Sequence, residues 1–127
     1  FDPETRFMRP RYRDGSWLKD FDPLNTPHRP LYFSEGNGWK FTYFVPHDMK
    51  GLIELIGKDE FNRRLNEGFE KSIERKFNAE GNERDSYVQH GNQPSMHVSW
   101  LFNYSGKPWL TQKWVREIQN MYYGSDP

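Results

Sequence analysis

Proline placement constrains this chain more than any other feature. Five of its nine prolines, Pro3, Pro10, Pro23, Pro27 and Pro30, fall within the first thirty residues. A proline removes a backbone donor and clashes with the preceding helical turn, so no long helix fits there. Residues 1–34 therefore read as an irregular, well-packed lead-in. The FDP at Phe1 and again at Phe21 is too short a match to count as a repeat. Beyond residue 34 the prolines stand only where helices tolerate them. Pro46 ends an element, Pro94 fits a first turn, and Pro108 can open a helix.

Between those marks the pattern is helical. Residues 35–45 fit a short helix through Trp39, Tyr43 and Phe44, or a strand through alternating Phe41, Tyr43 and Val45. Asp48 is placed to cap "MKGLIELIG", which Gly57 stops. Phe61, Leu65 and Phe69 recur every fourth residue, predicting an amphipathic helix over 58–70. Residues 71–86 are charged and read as a surface connection. Asn92 or Ser95 can cap a helix carrying Val98, Leu101 and Phe102, with Gly106 in a left-handed position at its end. A last helix starts at Pro108 and aligns Leu110, Trp114, Val115, Ile118 and Tyr122 before Gly124. The expected fold class is all-α, with four to five helices over residues 35–127 and long irregular loops.

Composition narrows the partners. Lys plus Arg and Asp plus Glu are 18 each, so the formal charge is zero. No basic field supports nucleic acid as a partner. Cysteine is absent, which excludes disulfides and thiolate metal sites. No apolar run approaches the roughly 18 residues of a membrane span. Aromatics reach 17% while mean hydropathy is −1.07. The core must be small and aromatic, and such a domain is marginal unless other surface covers it. The chain starts at Phe1 rather than Met, as a processed or excised piece would, and self-association through uncovered apolar faces is expected.

Three stretches carry candidate chemistry. Glu35 sits among Tyr32, Phe33, Gly36, Gly38 and Trp39. An apolar wall would keep its carboxyl protonated as a general acid needs, and the glycines let a ligand approach. A glutamate favoured by a helix N-terminus is the plainer alternative. The stretch His90-Gly-Asn-Gln-Pro-Ser-Met-His97 offers Asn92 and Gln93 as hard oxygen ligands that suit calcium better than zinc, or else a helix cap. His47 and Asp48 could pair to orient a ligand, or Asp48 is only a cap. Asn103-Tyr104-Ser105 is a formal glycosylation sequon inside a predicted helix, which argues against its use. No phosphate loop, GxSxG elbow or cysteine nucleophile is present.

Taken together, the motifs resemble a known family. "EGNGWKFTYFVPHDMKGLIELIG" is similar to the EGNAWQY-x-W-x-VPHD-x-x-GLIEL-x-G signature of family 92 glycoside hydrolases, calcium-dependent alpha-mannosidases. "HGNQPSMHVSWLFNYSGKPWLTQKWVREI" resembles their GNEPSHH-x-x-YLYNYAG-x-PWKTQ-x-x-VR-x-I, and "FDPETRFMRPRYRDGSW" their FDP-x-TGFM-x-R-x-x-DGSW. The resemblance implies that residues 1–127 are part of an (α/α)6 toroid, in a secreted or periplasmic parent that removes alpha-linked mannose from glycans with inversion. It implies Glu35 as general acid, Asn92 and Gln93 at a Ca2+ site, and Trp39, His47, His90 and His97 in the sugar cleft. Gln93 in place of the usual glutamate should weaken calcium, Met96 replaces a histidine, and Gly91 stands where members specific for alpha-1,2 linkages often carry glutamate. The family's general base lies in a GN-D/E-D-x-GQ stretch expected beyond Pro127, so the 127 residues alone should be inactive. Two other readings stay open. One is a non-catalytic helical module that binds carbohydrate or protein through Trp17, Trp39, Trp100 and Trp109. The other is a different inverting toroid glycosidase with the same acid and no calcium.

Overall fold

The computed structural model describes residues 1–24, 33, 36–79 and 86–123. Its helices are α1 (Gly38–Thr42), α2 (Met49–Ile56), α3 (Lys58–Ser72), α4 (Gln93–Met96) and α5 (Pro108–Tyr122), with 3-10 helices at Lys76–Asn78 and Val98–Asn103. Among the described residues there is no strand, only isolated bridges pairing Asp2 with Phe7 and Arg11 with Trp17. The chain is all-α, and the helical choice for the segment after Glu35 holds.

Helices α2 and α3 form the frame. Asp48 Oδ1 accepts the Gly51 N–H at 2.8 Å and starts α2 as its sequence predicts. Met49, Leu52, Ile53 and Ile56 turn inward. Gly57, at φ 89°, is the single residue between α2 and α3, a backbone state that glycine adopts without penalty. Helix α3 buries Phe61, Leu65 and Phe69 almost completely, while Arg63 pairs outward with Glu60 and Glu67 at 2.8 and 2.9 Å. Across from it, α5 inserts Trp114. The indole stacks on Phe69, centroids 5.1 Å apart, and its Nε1–H donates to Asn66 Oδ1 at 2.9 Å. The core is thus ring on ring, as the scarcity of aliphatic residues requires.

The lead-in is irregular but pinned. Arg64 of α3 is buried under Phe7, its guanidinium 4.2 Å from the ring centre, and donates to the Arg6 and Thr5 carbonyls. Asp2 is buried too. Desolvation pushes its pKa up, but hydrogen bonds from Arg9, the Thr5 hydroxyl and the Glu4 N–H outweigh that and hold it below the usual range.

Two expectations are corrected. Residues 71–86 are not simply a surface connection, because Phe77 is fully buried within them, against Phe69 and Trp114. Lys76, Phe77 and Asn78 all have positive φ (48°, 54° and 66°). Each such residue costs about 1–2 kcal/mol, and packing of the Phe77 ring in the core offsets that cost. The helix expected from Asn92 onward is instead two pieces, α4 and the 3-10 helix Val98–Asn103. The tighter winding puts Val98 and Leu101 on one side. Gly106, at φ 78°, closes it as predicted, and the Lys107 N–H donates back to the Phe102 carbonyl at 2.9 Å.

Candidate functional site

The Gly36–Asn37 turn opens α1 and is fastened from two sides. Asn37 is 1% exposed. Its Oδ1 accepts the Lys40 N–H at 3.0 Å and caps α1, while its Nδ2 donates to the Ser86 carbonyl at 3.0 Å. One amide therefore starts the helix and moors it to the strand of chain leading into His90. Glu35 and Tyr32, the acid and one of its expected walls, lie outside the described residues. The glycines beside Glu35 are filled by the chain itself. A Cβ on Gly36 would stand 2.5 Å from Lys40 Cδ, and one on Gly38 would stand 2.9 Å from the Phe21 ring and 3.0 Å from Pro23 Cα.

Helix α1 lies against α4, so the two motifs are neighbours despite their separation in sequence. Lys40, only 4% exposed, donates from Nζ to Gln89 Oε1 at 3.3 Å. His97 Nε2 stands 3.0 Å from the Tyr43 carbonyl oxygen, so it carries the proton and donates.

The candidate sugar residues do not share one cleft. Trp39 is a core residue, edge-on to Phe7 at 5.4 Å and to Tyr87 at 4.9 Å, with Gly68 beneath it. His47 is exposed and His97 half-buried; they line one open cleft of about 510 Å³ with Trp100, Leu101 and Tyr104. His90 is buried instead between Tyr122 and Tyr123, its Nε2 2.9 Å from the Tyr123 hydroxyl. Burial pushes the His90 imidazole below its usual range and keeps it neutral. Its Nδ1 has no hydrogen-bond partner among the described residues. Tyr122 also fills the side-chain space of residue 91: a Cβ on Gly91 would lie 1.9 Å from its hydroxyl oxygen.

Asn92 and Gln93 open α4. Asn92 holds the N-cap position but its side chain caps nothing, and its Oδ1 is buried without a hydrogen-bond partner among the described residues. A buried, unengaged carbonyl oxygen is a donor type that hard cations accept. Gln93 is exposed beside it. Among the described residues no cluster of three or more His, Cys, Asp or Glu side chains stands ready for a metal, so neutral oxygens are what this turn offers. Asp48 acts as a cap. The sequon's Ser105 is fully buried and donates to Asn62 Oδ1 at 2.6 Å.

Sequence reasoning missed Asn37, Lys40, Gln89 and the Tyr122–Tyr123 pair. Asn37 three residues before Lys40 N–H was a readable cap; the long-range links of Lys40 and Tyr122 left no local signal.

No described helix is long and apolar enough to cross a membrane. An uncharacterized secreted glycosidase of the fungus Arthroderma benhamiae is 30% identical over 118 residues, which cover 84% of this chain and 13% of the relative. The chain thus spans about an eighth of that relative's length. The sequence profile of the glycosyl hydrolase family 92 catalytic domain matches residues 1–127 throughout. That match extends over the proline-rich lead-in, the Asn37 turn and the Asn92 turn alike, and the chain belongs to glycosyl hydrolase family 92.

Proposed function

We propose that this chain supplies the acid-bearing part of an exo-acting, inverting alpha-mannosidase that removes alpha-linked mannose from glycans. The observation that carries the reading is the mooring of the Gly36–Asn37 turn to the segment running into Asn92, through Asn37 with Ser86 and Lys40 with Gln89. These bonds tie α1 to the segment that precedes the oxygen-donor turn, which supports the two motifs acting together. Glu35 donates its proton to the glycosidic oxygen as the bond from that oxygen to C1 breaks. Water adds to C1 from the opposite face and loses its proton to a carboxylate in the GN-D/E-D-x-GQ segment. In inverting enzymes the two carboxyls stand about 6.5–9.5 Å apart, which leaves room for that water.

Asn92 Oδ1 and the Gln93 side chain would hold the calcium. When bound, it supplies a fixed positive charge that orients sugar hydroxyls. Gln93 brings no negative charge, so binding is weak. His90, kept neutral, offers a hydrogen bond at the edge of the site, and His47 and His97 face sugar units further from the scissile bond. The relative's description as secreted supports export of the protein that carries this chain.

The test uses the full-length polypeptide that carries this chain. It should release mannose from alpha-linked substrates, with the beta anomer appearing first by NMR. Glu35→Gln should abolish turnover of a methyl mannoside and spare a dinitrophenyl mannoside more. First formation of the alpha anomer, or an unaffected Glu35→Gln variant, would refute the reading. A second reading, a non-catalytic binding module, draws support from exposed Trp100, Tyr104 and Trp109. It predicts glycan or protein binding with no turnover.

A further inference from the structure

Lys40 is the one lysine buried among the described residues, and the reaction outlined above gives it no task. Burying an ammonium is costly unless hydrogen bonds hold it, so its position is fixed by its surroundings. Its stem lies over Gly36 so closely that a Cβ there would stand 2.5 Å from Cδ and 3.2 Å from Nζ. Its head reaches Gln89 Oε1 at 3.3 Å. Gln89 is in turn tied to the oxygen-donor turn, because its carbonyl accepts the Asn92 N–H at 3.2 Å. Gly36 is the residue after Glu35 in the chain. A continuous path runs from the backbone of Gly36, through Lys40 and Gln89, to Asn92.

We propose that Lys40 is a positioning residue, a clamp that sets the spacing between Gly36, the chain neighbour of Glu35, and the Asn92–Gln93 turn. This rests on the alpha-mannosidase reading. Proton donation is sensitive to placement: a displacement of about 1 Å can cost about 100-fold in rate. Sugar binding by residues that the clamp does not carry is far less sensitive. The signature of a lost clamp is therefore slower turnover where the leaving group needs the proton, with little change where it does not.

The experiment uses the full-length polypeptide and two substrates, methyl and 2,4-dinitrophenyl alpha-mannoside. Lys40→Met keeps the stem and removes the donor. It should lower kcat on the methyl glycoside at least tenfold and on the dinitrophenyl glycoside less than threefold, with KM little changed. Gln89→Leu removes the acceptor from the other side and should give the same split. The double variant should be no worse than Lys40→Met alone, since that change already removes the link to Gln89. Lys40→Gln, which keeps a donor, should be faster than Lys40→Met on the methyl glycoside. If Lys40→Met fails to fold, Gln89→Leu and Lys40→Gln carry the test. Equal slowing of both substrates, no slowing, or additive losses overturn the clamp while leaving the catalytic reading intact. Glu35→Gln without a leaving-group split overturns both.

Discussion

At the scale of single residues, Gly91 and Tyr122 show how one contact fixes an identity that no local pattern announces. Gly91 needs no special backbone state; the Tyr122 hydroxyl occupies the place a Cβ would take. Gly91→Ala should cost about 1–3 kcal/mol by forced repacking. Most of that should return in Gly91→Ala with Tyr122→Ala, relative to Tyr122→Ala alone, when unfolding is followed in urea. Any larger residue at 91 must likewise displace Tyr122 first. His90 beside them gives a pH effect whose sign is fixed. Its pKa is lowered in the folded chain, so the unfolded chain takes up a proton first as pH falls below the usual imidazole value of about 6.5. Its contribution to stability is complete above that value and declines below it. The thermal midpoint should fall between pH 7 and pH 5.5, and less steeply in His90→Gln.

At the scale of elements, the lead-in and α3 depend on Arg64. Its guanidinium holds two part-buried carbonyls and covers Phe7, so Arg64→Met should cost about 1–3 kcal/mol, leaving those carbonyls without their donor. Proteolysis should then begin within residues 1–20 of the folded chain, whereas cleavage unchanged from the parent chain would count against this role. Glu60 adds an acid limit. Hydrogen bonds from Arg63, then Arg64, lower its pKa to about 2 against the opposing effect of burial. The stability it gives is present above the usual value near 4.5 and is lost as pH falls toward 2. These elements also mark what a sequence discloses. Asp48 as cap, Gly57 as break and the Phe61–Leu65–Phe69 stripe were legible, because caps and periodicity are local. Phe77 was not, because one aromatic in a charged run gives no period and its left-handed turn needs a core to hold it. The divided α4 and 3-10 segment was equally silent, since 3.6- and 3-residue windings share most of their apolar positions over so short a span. For the site, the motif residues themselves were legible. Their grouping was not: Trp39 packs in the core while His47 and His97 line a separate cleft, and only tertiary contacts decide that.

At the scale of the molecule, the described surface leaves Trp100 53%, Tyr104 69% and Trp109 59% exposed, along with Leu55 at 53%. Large aromatics at this exposure on neighbouring elements favour association. The purified 127-residue chain should therefore self-associate at high concentration, and Trp100→Ser with Trp109→Ser should reduce it. Light scattering that shows a stable monomer across the concentration range would contradict this.

The double engagement of Asn37 has a practical corollary. Because a single carboxamide both begins α1 and anchors it at Ser86, its two atoms divide helix initiation and motif spacing between them. Asn37→Asp would retain the acceptor yet forfeit the donor, so α1 keeps its cap and loses its tie to Ser86. Any redesign of this corner must supply a replacement for the lost tether elsewhere.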